Sequence, residues 1–263
     1  MFNLKDKKAY ITGGSSGIGR AVAETFIENG ASVVIADIAD GTAVAAEIGG
    51  HYIKCNVSDE QSVAASLAQA CEVLGGKLDI VVLNAGVGDV GPSFEETEQA
   101  MLEKVTKINQ WGVLYGLKHA PSNMNDHGAI ISTSSMAGII CMPGTGVYSA
   151  GKRAIHSMTE MASLELGDRG IRVNAVCPGY VQTPTMGNSP QEIRIASTFT
   201  ALGRPGTPKE DVAGVFLFLA SEASRYITGK ALEVDGGWTS GPTKQLLELV
   251  TGNTTTPGSN KYV

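Results

Sequence analysis

The stretch AYITGGSSGIGRAVAETFIENG, from Ala9 to Gly30, decides how the chain folds. An apolar run ends at Thr12, glycines stand at 13, 14, 17 and 19, and a helix-period segment follows over 18–29. Glycine costs backbone entropy, so this density of it where a strand gives way to a helix marks a need for bare backbone. The pattern Gly13-x-x-x-Gly17-x-Gly19 is one in which a turn brings a helix N-terminus against a diphosphate, with Gly17 and Gly19 allowing close approach. The next apolar run, SVVIAD, ends in Asp37, 18 residues after Gly19. A carboxylate there can accept hydrogen bonds from both adenosine ribose hydroxyls; the alternative is a turn-forming aspartate in DIADG.

The rhythm set by this first unit continues. Short apolar runs at 9–12, 32–37, 51–55, 79–84, 129–133, 171–176 and 231–235 alternate with helix-period segments such as 60–73, 98–120, 148–167 and 209–220. Such alternation predicts an α/β fold: one Rossmann-like, doubly wound sheet of about seven parallel strands with helices on both faces. DIVVLN is almost continuously apolar, as a strand covered on both sides should be. Residues 1–238 read as one domain. Prolines at 178, 184, 190, 205 and 208 mark 178–208 as an irregular lid or binding loop, and 239–263 reads as a polar C-terminal tail.

Composition narrows the possible partners. A formal net charge of −6 and the absence of a Lys/Arg cluster beyond KDKK at 5–8 argue against nucleic acid. No apolar stretch approaches the length of a membrane span, so neither membrane nor export is expected and the cytoplasm is the expected location. Cys55, Cys71, Cys141 and Cys177 form no C-x-x-C pair, which suggests reduced core or pocket thiols and no metal site.

A second constellation carries chemistry. Ser135 lies thirteen residues before Tyr148, and Lys152 lies four after it, on the same helical face. A lysine ammonium near a phenol favours the phenolate, so the spacing predicts a tyrosine whose pKa falls from about 10 toward the neutral range. Ser135, at the end of the fifth apolar run, can hydrogen-bond a substrate oxygen at the sheet edge.

Together, TGGSSGIG, Asp37, NAG at 84–86, Asn109 in KINQWG, Ser135, Tyr148-x-x-x-Lys152, RVNAV at 172–176, Pro178-Gly179 with Thr183, and DGG at 235–237 resemble the short-chain dehydrogenase/reductase family in order over residues 7–238. The resemblance implies Tyr148 as general acid/base, Ser135 as the group that polarises the substrate oxygen, and Lys152 as the partner of the nicotinamide ribose. It implies Asn109 as the anchor of a proton-relaying water. Gly13, Ser15, Ser16, Gly17, Ile18, Gly19, Asn56, Val57, Asn84, Ala85, Gly86, Pro178, Gly179, Val181 and Thr183 then join Asp37, Tyr148 and Lys152 as cofactor contacts. Ser134 is the rival of Ser135, and spacing to Tyr148 disfavours it. Asn56 stands where the family commonly has Asp; its amide oxygen can still accept from the adenine amino group, and Val57 offers backbone.

The expected reaction is reversible oxidation of a secondary alcohol to a ketone with NAD. Asp37 repels a 2′-phosphate, and no cation among Ser15, Ser16, Ile38 and Ala39 neutralises one. Met136, Cys141, Met142, Val147, Tyr180, Met186 and Phe199 border the implied substrate pocket; they are mainly apolar and favour an uncharged aryl or cyclic substrate, with core packing as the plainer alternative for each. Arg194 and Arg204 lie near enough to select an anion instead. Two other readings remain: a reductase of carrier-bound 3-oxoacyl groups, and a catalytically silent dinucleotide-binding module. The family also implies a homotetramer, for which Trp111 and Tyr115 offer an aromatic patch.

Overall fold

The apolar runs become strands because both of their faces are covered. The computed structural model describes residues 2–88, 91–184, 186 and 188–252. Among them, β1 (Lys8–Thr12), β2 (Ser32–Asp37), β3 (His51–Lys54), β4 (Leu78–Leu83), β5 (Met124–Thr133), β6 (Arg172–Pro178) and β7 (Lys230–Val234) form one sheet in the order β3-β2-β1-β4-β5-β6-β7. Every pairing is parallel. Side-chain alternation sends Ile11, Ile35, Ile80 and Val82 into one core, and Tyr10, Val34, Val81 and Leu83 into the other.

The helices are α1 (Gly17–Glu28), α2 (Thr42–Ile48), α3 (Glu60–Val73), α4 (Gln99–Thr106), α5 (Gly112–His119), α6 (Gly146–Glu165), α7 (Pro190–Phe199), α8 (Gly214–Ala220) and α9 (Lys244–Thr251). Phe26 of α1 and Phe216 of α8 fill the first core; Leu67 of α3, Val113 of α5 and Ile155 of α6 fill the second. The expected 98–120 helix is interrupted by a π turn at Lys107–Trp111, which carries Asn109.

Two expectations about irregular chain need correction. The 178–208 segment contains α7, and Pro190, read as a loop marker, occupies its first turn, where the missing N–H costs nothing. A capping box closes that end: Ser189 Oγ accepts from Glu192 N, and Ser189 N donates to Glu192 Oε2 at 3.0 Å. The 239–263 segment is not uniformly tail. Thr243 caps α9 by accepting from Leu246 N at 3.0 Å and donates to the Thr198 carbonyl of α7 at 2.5 Å. The remainder of that segment, 253–263, lies outside the described residues.

Strand order runs outward in one direction from β1 and in the other from β4. The switch point between them leaves a cleft at the carboxyl ends of the strands, which is where such sheets bind ligands.

Candidate active site

A cavity of about 350 Å³ occupies this cleft, walled from Ala36, Asp37 and Asn56 at one end to Ser135, Tyr148 and Lys152 at the other. The glycine loop forms its floor. Gly13 adopts φ +66°, a left-handed conformation that side chains disfavour. A Cβ on Gly19 would overlap the Gly13 carbonyl oxygen, so only glycine lets α1 start this close to β1. The α1 N-terminus has no side-chain cap and no acidic residue in its first turn. Its free N–H groups and positive dipole end therefore suit an anion such as a diphosphate. Asp37 accepts from Ser15 N and Ala39 N, each at 3.1 Å, which fixes its carboxylate beside the loop. These residues fit a dinucleotide.

The NAG turn is tied into place by Thr12, to which sequence spacing assigns no role. Thr12 Oγ1 accepts from Asn84 N at 2.9 Å and Ala85 N at 3.1 Å. Asn84 Nδ2 donates to the carbonyls of Thr12 and Gly13, while its Oδ1 accepts from Thr133 Oγ1 at 3.0 Å. One amide thus binds the ends of β1, β4 and β5 together. No local signal marks Thr12 for this work; it follows from the pairing of β1 with β4. Gly86 lies further along, where a Cβ would sit 3.4 Å from Lys152 Nζ, so the turn reaches the lysine end of the cleft as well as its middle.

At the other end, Asn56 differs from expectation. Its Oδ1 accepts from both Ser58 N at 3.1 Å and Ser58 Oγ at 2.8 Å. A backbone N–H can only donate, so the oxygen is turned toward Ser58 and the amide nitrogen is the end left for the cavity. The oxygen expected to accept from an adenine amino group is already committed.

Ser135, Tyr148 and Lys152 converge as their spacing predicts. The Ser135 hydroxyl accepts from Ala137 N at 3.1 Å and acts on the Tyr148 phenol, whose pKa it lowers. Lys152 is buried, with Nζ 5.7 Å from the Tyr148 ring centre and 2.8 Å from the Thr133 carbonyl to which it donates. Burial lowers the lysine pKa from 10.5 to about 8. The phenol moves opposite to expectation: burial raises its pKa, and the Ser135 hydrogen bond only partly offsets this. The ammonium donates to the Thr133 carbonyl while lying over the ring, and burial sets the direction of the phenol's shift, upward instead of the lowering expected from Lys152.

Asn109 is fully buried on its π turn, with both ends of its amide on one residue. Oδ1 accepts from Val87 N, and Nδ2 donates to the Val87 carbonyl, each at 2.8 Å. The side chain is a strap to the residue after the NAG turn, so its amide is committed to Val87 rather than left to anchor a water. Ser134 is also accounted for, since its hydroxyl is buried and bonded to the Lys152 carbonyl and to His156, away from the phenol.

Of the seven residues expected around the substrate, Met186 lines the cleft, together with Val87, Gly88 and Pro184. Tyr180 and Phe199 are withdrawn into an aromatic stack on either side of Trp238, with ring centres at 5.6 and 4.9 Å and planes within 13° of parallel. The stack satisfies their apolar surface away from the cleft and fixes the end of α7 to the turn after β7. Met136 is buried in the protein interior, while Cys141 is exposed; neither these nor Met142 and Val147 line the cleft. Arg204 is held by Asp211 through two contacts of 2.7 Å, so it offers no free anion clamp, and Arg194 is exposed on α7.

A glycine-lined cleft with an open helix end, leading to a tyrosine and a buried lysine one turn apart, is the working arrangement of dinucleotide-dependent oxidoreductases on a doubly wound sheet. The family model described as Enoyl-(Acyl carrier protein) reductase matches residues 13–239, and the chain belongs to the short-chain dehydrogenase/reductase family. It is an oxidoreductase acting on CH–OH donors, in a family that binds nicotinamide dinucleotides. Cis-4-hydroxycyclohexanecarboxylate dehydrogenase of Sinomonas cyclohexanicum is 38% identical over 246 residues, 89% of this chain and 97% of that protein. The 2,5-dichloro-2,5-cyclohexadiene-1,4-diol dehydrogenase LinX of Sphingobium indicum is 39% identical over 249 residues, 90% of this chain and 98% of its own. A blue fluorescent protein from a metagenomic library, solved in complex with NADPH, superposes with a TM-score of 0.83 at 31% identity, covering 90% of this chain and 99% of the other. No helix among the described residues is long and apolar enough to cross a membrane.

Proposed function

We propose that the protein interconverts an uncharged cyclic secondary alcohol and its ketone, with NAD as the preferred cofactor. The observation that carries this reading is the Tyr148 phenol, which lines one cleft with Ser135 and buried Lys152, while Asp37 lines the other end. Gly13, Gly17, Gly19 and the first turn of α1 would hold the diphosphate, Asp37 the adenosine ribose, and Lys152 the nicotinamide ribose. A bound nicotinamide supplies the hydride acceptor or donor. Tyr148 gives a proton to the substrate oxygen in reduction and removes it in oxidation, while Ser135 donates a hydrogen bond to that oxygen. Because burial keeps the phenol protonated at neutral pH, the resting site is set for the acid role, ketone reduction.

Cofactor choice rests on charge. Asp37 faces the loop that would carry a 2′-phosphate, and no lysine or arginine lines the cavity there. An uncharged substrate fits a cleft wall of Val87, Gly88, Pro184 and Met186, with Arg204 neutralised by Asp211. The relatives that act on cyclohexane-type alcohols support a ring-sized substrate. Exposed Trp111, Leu114, Met161 and Leu164 support self-association through the α5 and α6 face, whereas Tyr115 packs partly into the core.

The test is nicotinamide turnover followed by absorbance over a panel of cyclic ketones and alcohols, neutral and carboxylated, with NAD(H) and NADP(H) in parallel and Tyr148→Phe as control. Turnover of neutral rings with NAD(H), lost in the variant, supports the reading. Equal use of NADP(H) removes the cofactor assignment, and selective turnover of carboxylated rings removes the substrate class.

A further inference from the structure

Three segments that carry the proposed machinery meet at a side chain with no role so far. His156 follows Lys152 by one turn of α6, so Tyr148, Lys152 and His156 form a row at i, i+4 and i+8. Its Nε2 lies 2.9 Å from Ser134 Oγ, on the residue before Ser135, and 3.4 Å from Cys177 Sγ, on the residue before Pro178-Gly179. The packing is close: a Cβ on Gly138 would stand 3.1 Å from the same Nε2. Imidazole, catalytic serine turn and cofactor-side turn therefore share one point behind the phenol.

The hydrogen-bond directions are constrained by proton count. A serine hydroxyl has one proton, and Ser134 donates it to the Lys152 carbonyl at 2.9 Å. The bond between Ser134 and His156 must then run from the imidazole, with Nε2–H donating and Ser134 Oγ accepting. Cys177 Sγ is a weaker second acceptor for the same N–H. The result is a directed chain from His156 through Ser134 to the main chain of Lys152.

We propose that His156 is a positioning residue for the reaction: through Ser134 it holds the Ser135 turn against the helix that carries Tyr148 and Lys152. This rests on the catalytic reading above. Ser135 cannot drift from the phenol without Ser134 moving, and Ser134 is anchored from both sides. Removing the imidazole donor frees the turn while leaving the glycine loop and Asp37 untouched. The cost falls on turnover, with dinucleotide affinity preserved.

The test compares His156→Leu, which keeps bulk and removes the donor, with His156→Gln, whose terminal amide can replace Nε2–H. Ser134→Ala and the Ser134→Ala/His156→Leu pair complete a cycle. His156→Leu is expected to lower kcat about tenfold or more through misplacement of reacting groups. Dinucleotide Kd should stay within about twofold, a ratio too small to register as a lost contact. His156→Gln should recover most of kcat, and the double variant should be no slower than the slower single one. A purely structural role would lower thermal stability in both His156 variants and leave kcat per folded molecule unchanged; that result overturns the proposal. So does equal loss in the Gln and Leu variants, or additive loss in the double. Wild-type turnover retained by His156→Leu refutes this inference alone, whereas a wild type inert on every substrate despite binding dinucleotide refutes the catalytic reading and this one with it.

Discussion

Lys152 stands one helical turn from Tyr148, yet its ammonium bonds the Thr133 carbonyl at 2.8 Å and keeps 5.7 Å from the phenol ring centre. The phenol is thus governed by burial and by Ser135, and its pKa lies above the ordinary value. Tyr148→Phe removes the hydroxyl proposed to exchange a proton with the substrate oxygen and leaves the packing almost unchanged. Turnover should fall by about 10²–10⁴, the usual worth of general acid–base catalysis. Dinucleotide binding, measured by fluorescence titration, should persist. Near-normal turnover would remove Tyr148 from the mechanism.

Lys152 makes a second prediction, this one about stability. Its pKa falls from 10.5 in the unfolded chain to about 8 in the folded one, because burial penalises the ammonium. A depressed folded-state pKa gives a contribution present in full above 10.5 and lost as pH falls through about 8. Relative to Lys152→Met, the dinucleotide-free wild type should therefore gain stability as pH rises from neutral toward 10. Cys177 works in the opposite sense, its thiol pushed up to about 11 by burial, but it is common to both proteins and largely cancels. Urea unfolding at several pH values measures the difference, and a flat profile would show that the ammonium carries no burial penalty.

How far these features were legible in sequence depends on how local their causes are. The glycine loop, Asp37 and the Tyr148–Lys152 pair are set by short-range backbone geometry and helical periodicity, so residue spacing alone locates them. The direction of the Tyr148 shift was not readable, because it depends on where the Lys152 ammonium finds its acceptor, and that acceptor is Thr133 on another element. The same holds for Tyr180 and Phe199: each looks like pocket lining until Trp238, from the far end of the sheet, lies between them. Helix α7 is hidden in sequence for a different reason: proline is ambiguous between loop and first helical turn, and the Ser189-x-x-Glu192 signature beside it resolves the ambiguity.

Asp37 predicts cofactor discrimination. Its carboxylate is fixed by two backbone N–H donors, so it cannot swing away from a 2′-phosphate at low cost. Asp37→Ala should weaken NADH binding through the lost ribose contacts and narrow the preference over NADPH by about tenfold or more, equivalent to about 1.4 kcal/mol. Parallel titrations of the two reduced cofactors decide it. An unchanged ratio would assign the carboxylate to the DIADG turn alone.

Trp238 is buried and stacks on both Tyr180 and Phe199, so it joins the turn after β7 to the end of α7. Trp238→Ala leaves a cavity where two ring faces lose their partner, and large aromatic truncations of this kind cost about 3–5 kcal/mol. The loss should be local before it is global. Amide exchange over 190–199 should accelerate more than over β1 or β4. Uniform acceleration would mean that the stack supports the whole sheet rather than the α7 segment.

Asn56 carries the most specific expectation about binding. Ser58 N and Oγ both donate to its Oδ1, so the amide nitrogen is the end left to meet an adenine base if one binds at this end of the cleft. The exocyclic amino group of adenine is itself a donor, and donor against donor forms no hydrogen bond. Asn56→Asp keeps the Ser58 bonds on one oxygen and turns a second oxygen, an acceptor, to the cavity. A hydrogen bond to a charged acceptor contributes about 1.5–3 kcal/mol. NADH should therefore bind at least about tenfold more tightly to the variant, 1.4 kcal/mol or more, while a dinucleotide whose adenine is replaced by hypoxanthine, with a 6-oxo acceptor, should gain nothing. Equal tightening of both would trace the effect to a change in the cleft and not to recognition of the base, since an added carboxylate by itself repels an anionic dinucleotide, and no tightening of either would place the base away from Asn56.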